Sequence, residues 1–133
     1  MGAYIGGYSV RACLAGAHVI SVEPDPENYD LLVRNLKLNN CESFRALNIA
    51  AGDQEGTATL YKWKESYVAT YSLIEDRGGV KNVVKVLPLD SVLQDLDTNI
   101  RLFVKIDVEG YEIHVLRGMK KLLRRTNYLM VET

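Results

Sequence analysis

Three acids fall within six positions in the run LFVKIDVEGYE: Asp107, Glu109 and Glu112, with Gly110 among them. Carboxylates so spaced can act as general bases, or as hard oxygen ligands for magnesium or calcium. The residues that deliver them, Ile100 to Ile106, are mostly branched and aromatic, as in a strand buried on both faces of a parallel sheet. A helical pattern follows at once. In open α/β sheets ligands lie beyond the carboxyl ends of the strands, so these acids are expected to form the floor of an active site. Asp107 is the first candidate for a general base and Glu109 the second, while Glu112, on the first turn of the helix, is given a structural role. No metal site is assigned. Lys105 breaks the apolar strand and needs a carboxylate partner, because burying an unpaired ammonium is costly.

A second set of residues stands near the start. Gly2, Gly6 and Gly7 precede a helical pattern of Val10, Cys13 and Leu14 that Gly16 can end. Such a glycine turn lets backbone amides approach a ligand, and the helix that follows favours anionic groups. His18 to Val22 then reads as a strand with Glu23 at its tip, about twenty residues after the turn. An acid there is the usual acceptor for the two hydroxyls of an adenosine ribose. Asp25 is a good N-cap, Pro26 fits the first helical position, and Asn39-Asn40 closes the helix they open. Capping leaves Glu23 free for a ligand, with Pro24 beside it.

The elements that must position these groups alternate. Ser43 to Ala51 reads as a third strand, whose end from Asn48 to Ala51 should flank the same ligand on its base side. Thr57 to Trp63 resembles an antiparallel or edge strand, Glu65 to Val80 a lid or substrate loop, and Asn82 to Leu87 another extended run. Tyr61, Trp63, Tyr67 and Tyr71 are read as packing residues. Asp90 is expected to cap a short helix bearing Val92, Leu93 and Leu96. One helix with Val115, Leu116, Met119, Leu122 and Leu123 buried should follow Ile106, and Tyr128 to Val131 makes a last buried strand. This grammar predicts an α/β fold: a doubly wound, mostly parallel sheet with helices on both faces, in one domain over 1–133.

Composition narrows the partners. With 47% hydrophobic and 25% charged residues, and sixteen basic against seventeen acidic side chains, nothing suggests a nucleic-acid or acidic-membrane partner. No apolar stretch approaches a membrane span. Cys13 and Cys41 could pair but make no disulfide framework and lack metal-ligand spacing, so a reducing, cytoplasmic setting is the default expectation. His18 and His114 show no ligand-like grouping.

The ordered set GAYIGGYS, VEPDPENYDLLVRNLKLN, NIAAGDQEGTATLY, VLPLDSVL, VKIDVEGYEIHVLRGM and MVET resembles the FkbM-type methyltransferases. The resemblance implies a class I, Rossmann-like fold that binds S-adenosylmethionine and methylates a hydroxyl oxygen of a sugar or other small acceptor. Carried over by position, Gly2, Ala3 and Gly6 would line the methionine side of the cofactor. Glu23 would hold the ribose, and Asp107 with Glu109 would lie nearest the transferred methyl. Tyr4 stands where that family more usually has asparagine. In the family a strand ending in an acid runs into the glycine turn, and further strands follow the last one here, so the chain reads as the middle of such an enzyme. A missing central strand leaves two outcomes open: the run from Asn82 moves into the gap, or the neighbours close up. Unpaired edges also invite a second copy, making a homo-oligomer an expectation. The alternatives are a non-catalytic remnant and a nicotinamide-binding Rossmann domain, in which KIDVEGYE would have no natural role.

Overall fold

The computed structural model describes the backbone of residues 1–65, 68–73 and 79–132, with the side chains of 63–65 and 68–72 left aside. The elements run α1 (Gly7–Leu14), β1 (Val19–Val22), α2 (Pro26–Leu38), β2 (Phe44–Leu47), β3 (Ala50–Ala51), β4 (Gly56–Glu65), β5 (Val68–Ser72), β6 (Val80–Leu87), α3 (Leu89–Val92), β7 (Leu102–Ile106), α4 (Glu112–Arg117), α5 (Lys120–Leu123) and β8 (Thr126–Val131). The mixed α/β character expected from the sequence is present. Its strands, however, fall into three sheets: the parallel pair β1-β2, the mixed set β3-β6-β4-β5, and the parallel pair β7-β8.

Layering follows from side-chain alternation, since neighbouring residues of a strand face opposite sides. Ser21 meets Ser9 of α1, and Phe44 and Ala46 pack with Leu32 and Leu36 of α2. On the opposite side Val22, Val104 and Ile106 join Leu89, Val115, Met119 and Leu122 of α3 to α5 in the main core. Helices therefore lie on both faces of the β1-β2 pair, whereas the β7-β8 pair, expected from its apolar residues to be buried, is covered on the Val104 and Ile106 side and leaves Phe103 and Tyr128 to Val131 exposed.

The doubly wound sheet itself is the point of correction. Met1 donates from its nitrogen to the Lys105 carbonyl and accepts from the Asp107 amide, while the Ala3 amide donates to the Val22 carbonyl. Residues 1–3 thus bridge the carboxyl ends of β1 and β7. Behind that bridge no described residue lies between the two strands, and a groove of about 750 Å³ lined by Ile20, Val22, Val104, Leu93 and Met119 separates them. Neither arrangement open to the sequence is adopted. The Asn82 run is held elsewhere, paired antiparallel to β4 from Gly56↔Val86 to Lys62↔Val80. The neighbours also stay apart: among the described residues β1 pairs with β2 and β7 with β8.

Other departures have local causes. The strand expected over Ser43 to Ala51 splits at Asn48, whose Nδ2 donates to the carbonyls of Glu23 and Pro24 at 2.9 and 3.1 Å. Beyond it the chain leaves β1 and pairs in parallel with β6. Part of the expected loop is a hairpin of β4 and β5, while residues 66–67 and 74–78 of it, Tyr67 included, and the side chains of Trp63 and Tyr71 lie outside the described set. Asp90 does not cap its own helix, which starts after Pro88; its carboxylate instead accepts from the amides of Lys121 and Leu122, capping α5. The single helix expected after Ile106 is two short ones that part at Gly118 and Met119, where Met119 leaves the helical region with φ −129° and ψ 30°; Gly118 lies so close to Gly52 that a Cβ would fall 1.7 Å from its carbonyl oxygen.

Candidate active site

The first residues of the site are set by the glycine turn. Gly2, Tyr4 and Gly6 have φ values of +67°, +51° and +97°, three left-handed residues within five positions. Glycine adopts this geometry freely, and a non-glycine residue at a positive φ is uncommon unless it is asparagine, aspartate or histidine, which is the physical content of the tyrosine at position 4. The glycines serve packing as much as access. A Cβ on Gly2 would lie 1.6 Å from the Asp107 carbonyl oxygen, and one on Gly6 would lie 2.8 Å from Leu32 Cδ1.

Glu23 closes the turn from the β1 side. One carboxylate oxygen accepts from the Tyr4 amide at 2.7 Å and the other from the Asp25 amide at 3.0 Å. It is 5% exposed, and burial pushes its pKa above the usual glutamate value against the opposing pull of those amides. A carboxylate has about four acceptor positions, and the Asn28 side chain bears on it beside the two amides, so at least one remains for a hydroxyl. An acceptor-only group with spare lone pairs, at a strand's carboxyl end and tied to a glycine turn, fits the ribose of an adenosine cofactor. Asp25 behaves as read: buried, it accepts from the Asn28 amide at 3.0 Å and caps α2, with Pro26 next. Asn39 is the C-cap, and Asn40 takes a φ of +55°.

The second group is the turn after β7. Lys105 Nζ lies 2.7 Å from Asp107 Oδ2 and 3.5 Å from Glu132 Oε2, and stands 4.5 Å over the Tyr8 ring. Burial alone would lower the lysine pKa; the two carboxylates outweigh it and raise it. The partner demanded by a lysine in an apolar strand is thus Asp107 itself. Glu112 is structural as expected, its Oε1 accepting from the amides of Val108 and Gly110 at 3.3 and 3.0 Å. Glu109 is exposed on the turn it shapes, with φ +52°. Among the described residues no group of three or more His, Cys, Asp or Glu is arranged to hold a metal ion.

Gly2, Ala3, Glu23 and Asp107 are therefore brought together around the turn. Pro24 and exposed Asn48 sit beside Glu23, whereas Ala51 is buried in the core, hydrogen-bonded into the strand pair with Leu87. Sequence reading missed Asn35, whose Nδ2 donates to the Ile5 carbonyl at 2.7 Å and anchors the turn on α2. Nothing in the pattern of α2 marks it. It also missed the pairing of His114 Nδ1 with Asp53 Oδ2 at 3.2 Å, beneath a stacked Tyr111; the bond to His114 lowers the pKa of Asp53.

The profile of the methyltransferase FkbM domain matches residues 1–133. The chain belongs to the FkbM methyltransferase family. This membership sets aside the nicotinamide-binding alternative. The domain is 24% identical over 132 residues to the hexuronic acid methyltransferase AglP of Haloferax volcanii, an alignment covering 99% of this chain and 53% of the relative. The FkbM domain described here thus spans about half the length of that protein. No solved structure matches it. Among the described residues no helix is long and apolar enough to cross a membrane.

Proposed function

We propose that the chain binds S-adenosylmethionine and transfers its methyl group to a hydroxyl oxygen of a sugar acceptor. The observation that carries this reading is the placement of one glycine turn between two strand-end acids, Glu23 held by the Tyr4 amide and Asp107 held against Gly2. Gly2, Ala3 and Gly6 line the methionine side, Glu23 with Pro24 the ribose, and Asn48 the base side, with Ala51 behind it in the core. Bound S-adenosylmethionine supplies a methyl group already activated on a sulfonium. The chain's own tasks are to hold the acceptor oxygen in line and to receive its proton as attack proceeds. Asp107 takes that proton, with Lys105 orienting its carboxylate, and Glu109 stands at the open rim of the turn. The relative's name supports a hexuronic acid as acceptor class.

A hexuronic acid offers hydroxyl and carboxylate oxygens, and only the hydroxyl has a proton to lose. The test follows from this difference. Calorimetric titration with S-adenosylhomocysteine should give a Kd on the order of micromolar, and labelled methyl should pass from S-adenosylmethionine to hexuronic-acid oligosaccharides as an alkali-stable ether. No heat from a folded protein would sink the reading. An alkali-labile methyl ester, formed equally well by Asp107→Asn, would keep the methyltransferase and remove the hydroxyl acceptor with its base.

A further inference from the structure

Cys13 and Cys41, taken from the sequence as reduced, are joined by a disulfide with their Cα atoms 5.9 Å apart. The bond ties the last turn of α1 to the residue just after the close of α2. The helix it ties has little else to hold it. α1 is eight residues long, has no side-chain cap, and buries only Ser9, while Tyr8 and Leu14 are 59% and 67% exposed. A helix this short does not persist alone in water. Its other attachments include the contact of Ser9 Oγ with Ser21 Oγ at 2.8 Å, the Lys105 ammonium 4.5 Å over the Tyr8 ring, and the packing of Val10 and Cys13 near Leu32 and Leu36.

The glycine turn runs straight into this helix. Its Ile5 carbonyl is held by Asn35 and its Gly6 rests on Leu32, both residues of α2, so turn and α1 lean on one support. The disulfide fastens the far end of that body to the same support. Its two sulfurs differ in access: Cys41 is 4% exposed, and Cys13 is half-buried. A reagent thiolate therefore reaches Cys13 first.

We infer that the Cys13–Cys41 pair is a redox site whose bond state sets how firmly α1 and the glycine turn are held. A dithiol thiolate attacks the Cys13 sulfur, and the Cys41 sulfur leaves with the bonding electron pair and takes a proton. The reagent's second thiolate then displaces Cys13, which is protonated in turn. Two electrons pass to the protein, two thiols form, and the reagent ends as its own disulfide; a low-molecular-weight disulfide drives the reverse. With the bond open, α1 frays and the Tyr4 amide is less often in place against Glu23. Only the effect on ligand affinity rests on the cofactor reading above. That affinity falls in proportion to the fraction of molecules in the competent state.

Hydrogen exchange read by mass spectrometry, on the chain with thiols titrated before and after dithiothreitol, tests this. On reduction the amides of residues 8–15 should lose about tenfold or more of their protection, while those of α2 and of β7 and β8 keep theirs. Affinity for S-adenosylhomocysteine should drop about tenfold, and Cys13→Ser should match the reduced chain and ignore the reductant. Unchanged exchange in α1, an equal loss of protection throughout the chain, or two thiols that a disulfide reagent cannot close would each overturn the inference. Equal affinity in both forms despite a loosened α1 would overturn the coupling to the turn. If the ligand binds neither form while α1 alone responds, the cofactor reading falls and the redox tether stands on the exchange.

Discussion

The two strand ends that flank the glycine turn both present a carboxylate, and they present it differently. Glu23, at the end of β1, is 5% exposed and held by two backbone amides. Asp107, at the end of β7, has a side chain 32% exposed and is held by a lysine that it shares with Glu132. Backbone donors cannot swing away, so the first acid is a fixed ligand. A lysine stem has four rotatable bonds, so the second can shift partner as a substrate arrives. The difference supports the roles proposed above: rigid recognition on the β1 side, proton handling on the β7 side.

The largest effect expected from this contrast is that of Glu23→Ala. It removes the ligand's acceptor and strands two buried amides, lowering S-adenosylhomocysteine affinity roughly 100-fold and stability by about 2–4 kcal/mol. Asp107→Ala should leave that affinity within about threefold. Equal losses in calorimetry would erase the distinction. Next comes Asp107→Asn, expected to reduce turnover of a hydroxyl acceptor about 100- to 1,000-fold with little change in cofactor KM; a rise in KM alone would move Asp107 to the binding side. Smaller is the effect of Glu112→Ala, about 2 kcal/mol in urea denaturation from the unpaired amides of Val108 and Gly110. Glu112→Gln should recover most of it, because its side-chain carbonyl can accept both bonds. The smallest is a pH dependence. Glu23 has a folded pKa raised by burial, so its contribution to stability is fully present below the ordinary glutamate value of 4.5 and is lost as pH rises through the higher folded value. Urea midpoints of the wild type and Glu23→Gln, compared from pH 4 to 8, should therefore separate with this sign; a gap independent of pH would show that burial does not bear on this group.

Much of the local structure was legible because its causes are local. Asp25-Pro26 caps and starts α2, Asn39-Asn40 ends it, and Glu112 folds back on its own turn two and four residues away. The partner of Lys105 was legible as a need, and the nearest acid, two residues on, met it. Longer reaches were not. Asp90 looks like a cap for its own helix and caps one thirty residues later; the helix expected through Gly118 parts at Gly118 and Met119, where Gly118 is pressed against Gly52 with no room for a Cβ. Asn35 and the Cys13–Cys41 bond carry no periodic or compositional mark, since each depends on where α1 lies against α2.

By itself the sequence determined the family, the order of strands and helices, and the acids at two strand ends, because capping, alternation and motif spacing act over a few residues. Only the tertiary structure decided that the strands form three sheets, that residues 1–3 bridge β1 to β7 with a groove behind them, and that Lys105 is shared between Asp107 and the distant Glu132. Those outcomes are set by contacts between residues tens of positions apart, where pairing, close approach and burial compete, and no local pattern encodes which of them prevails.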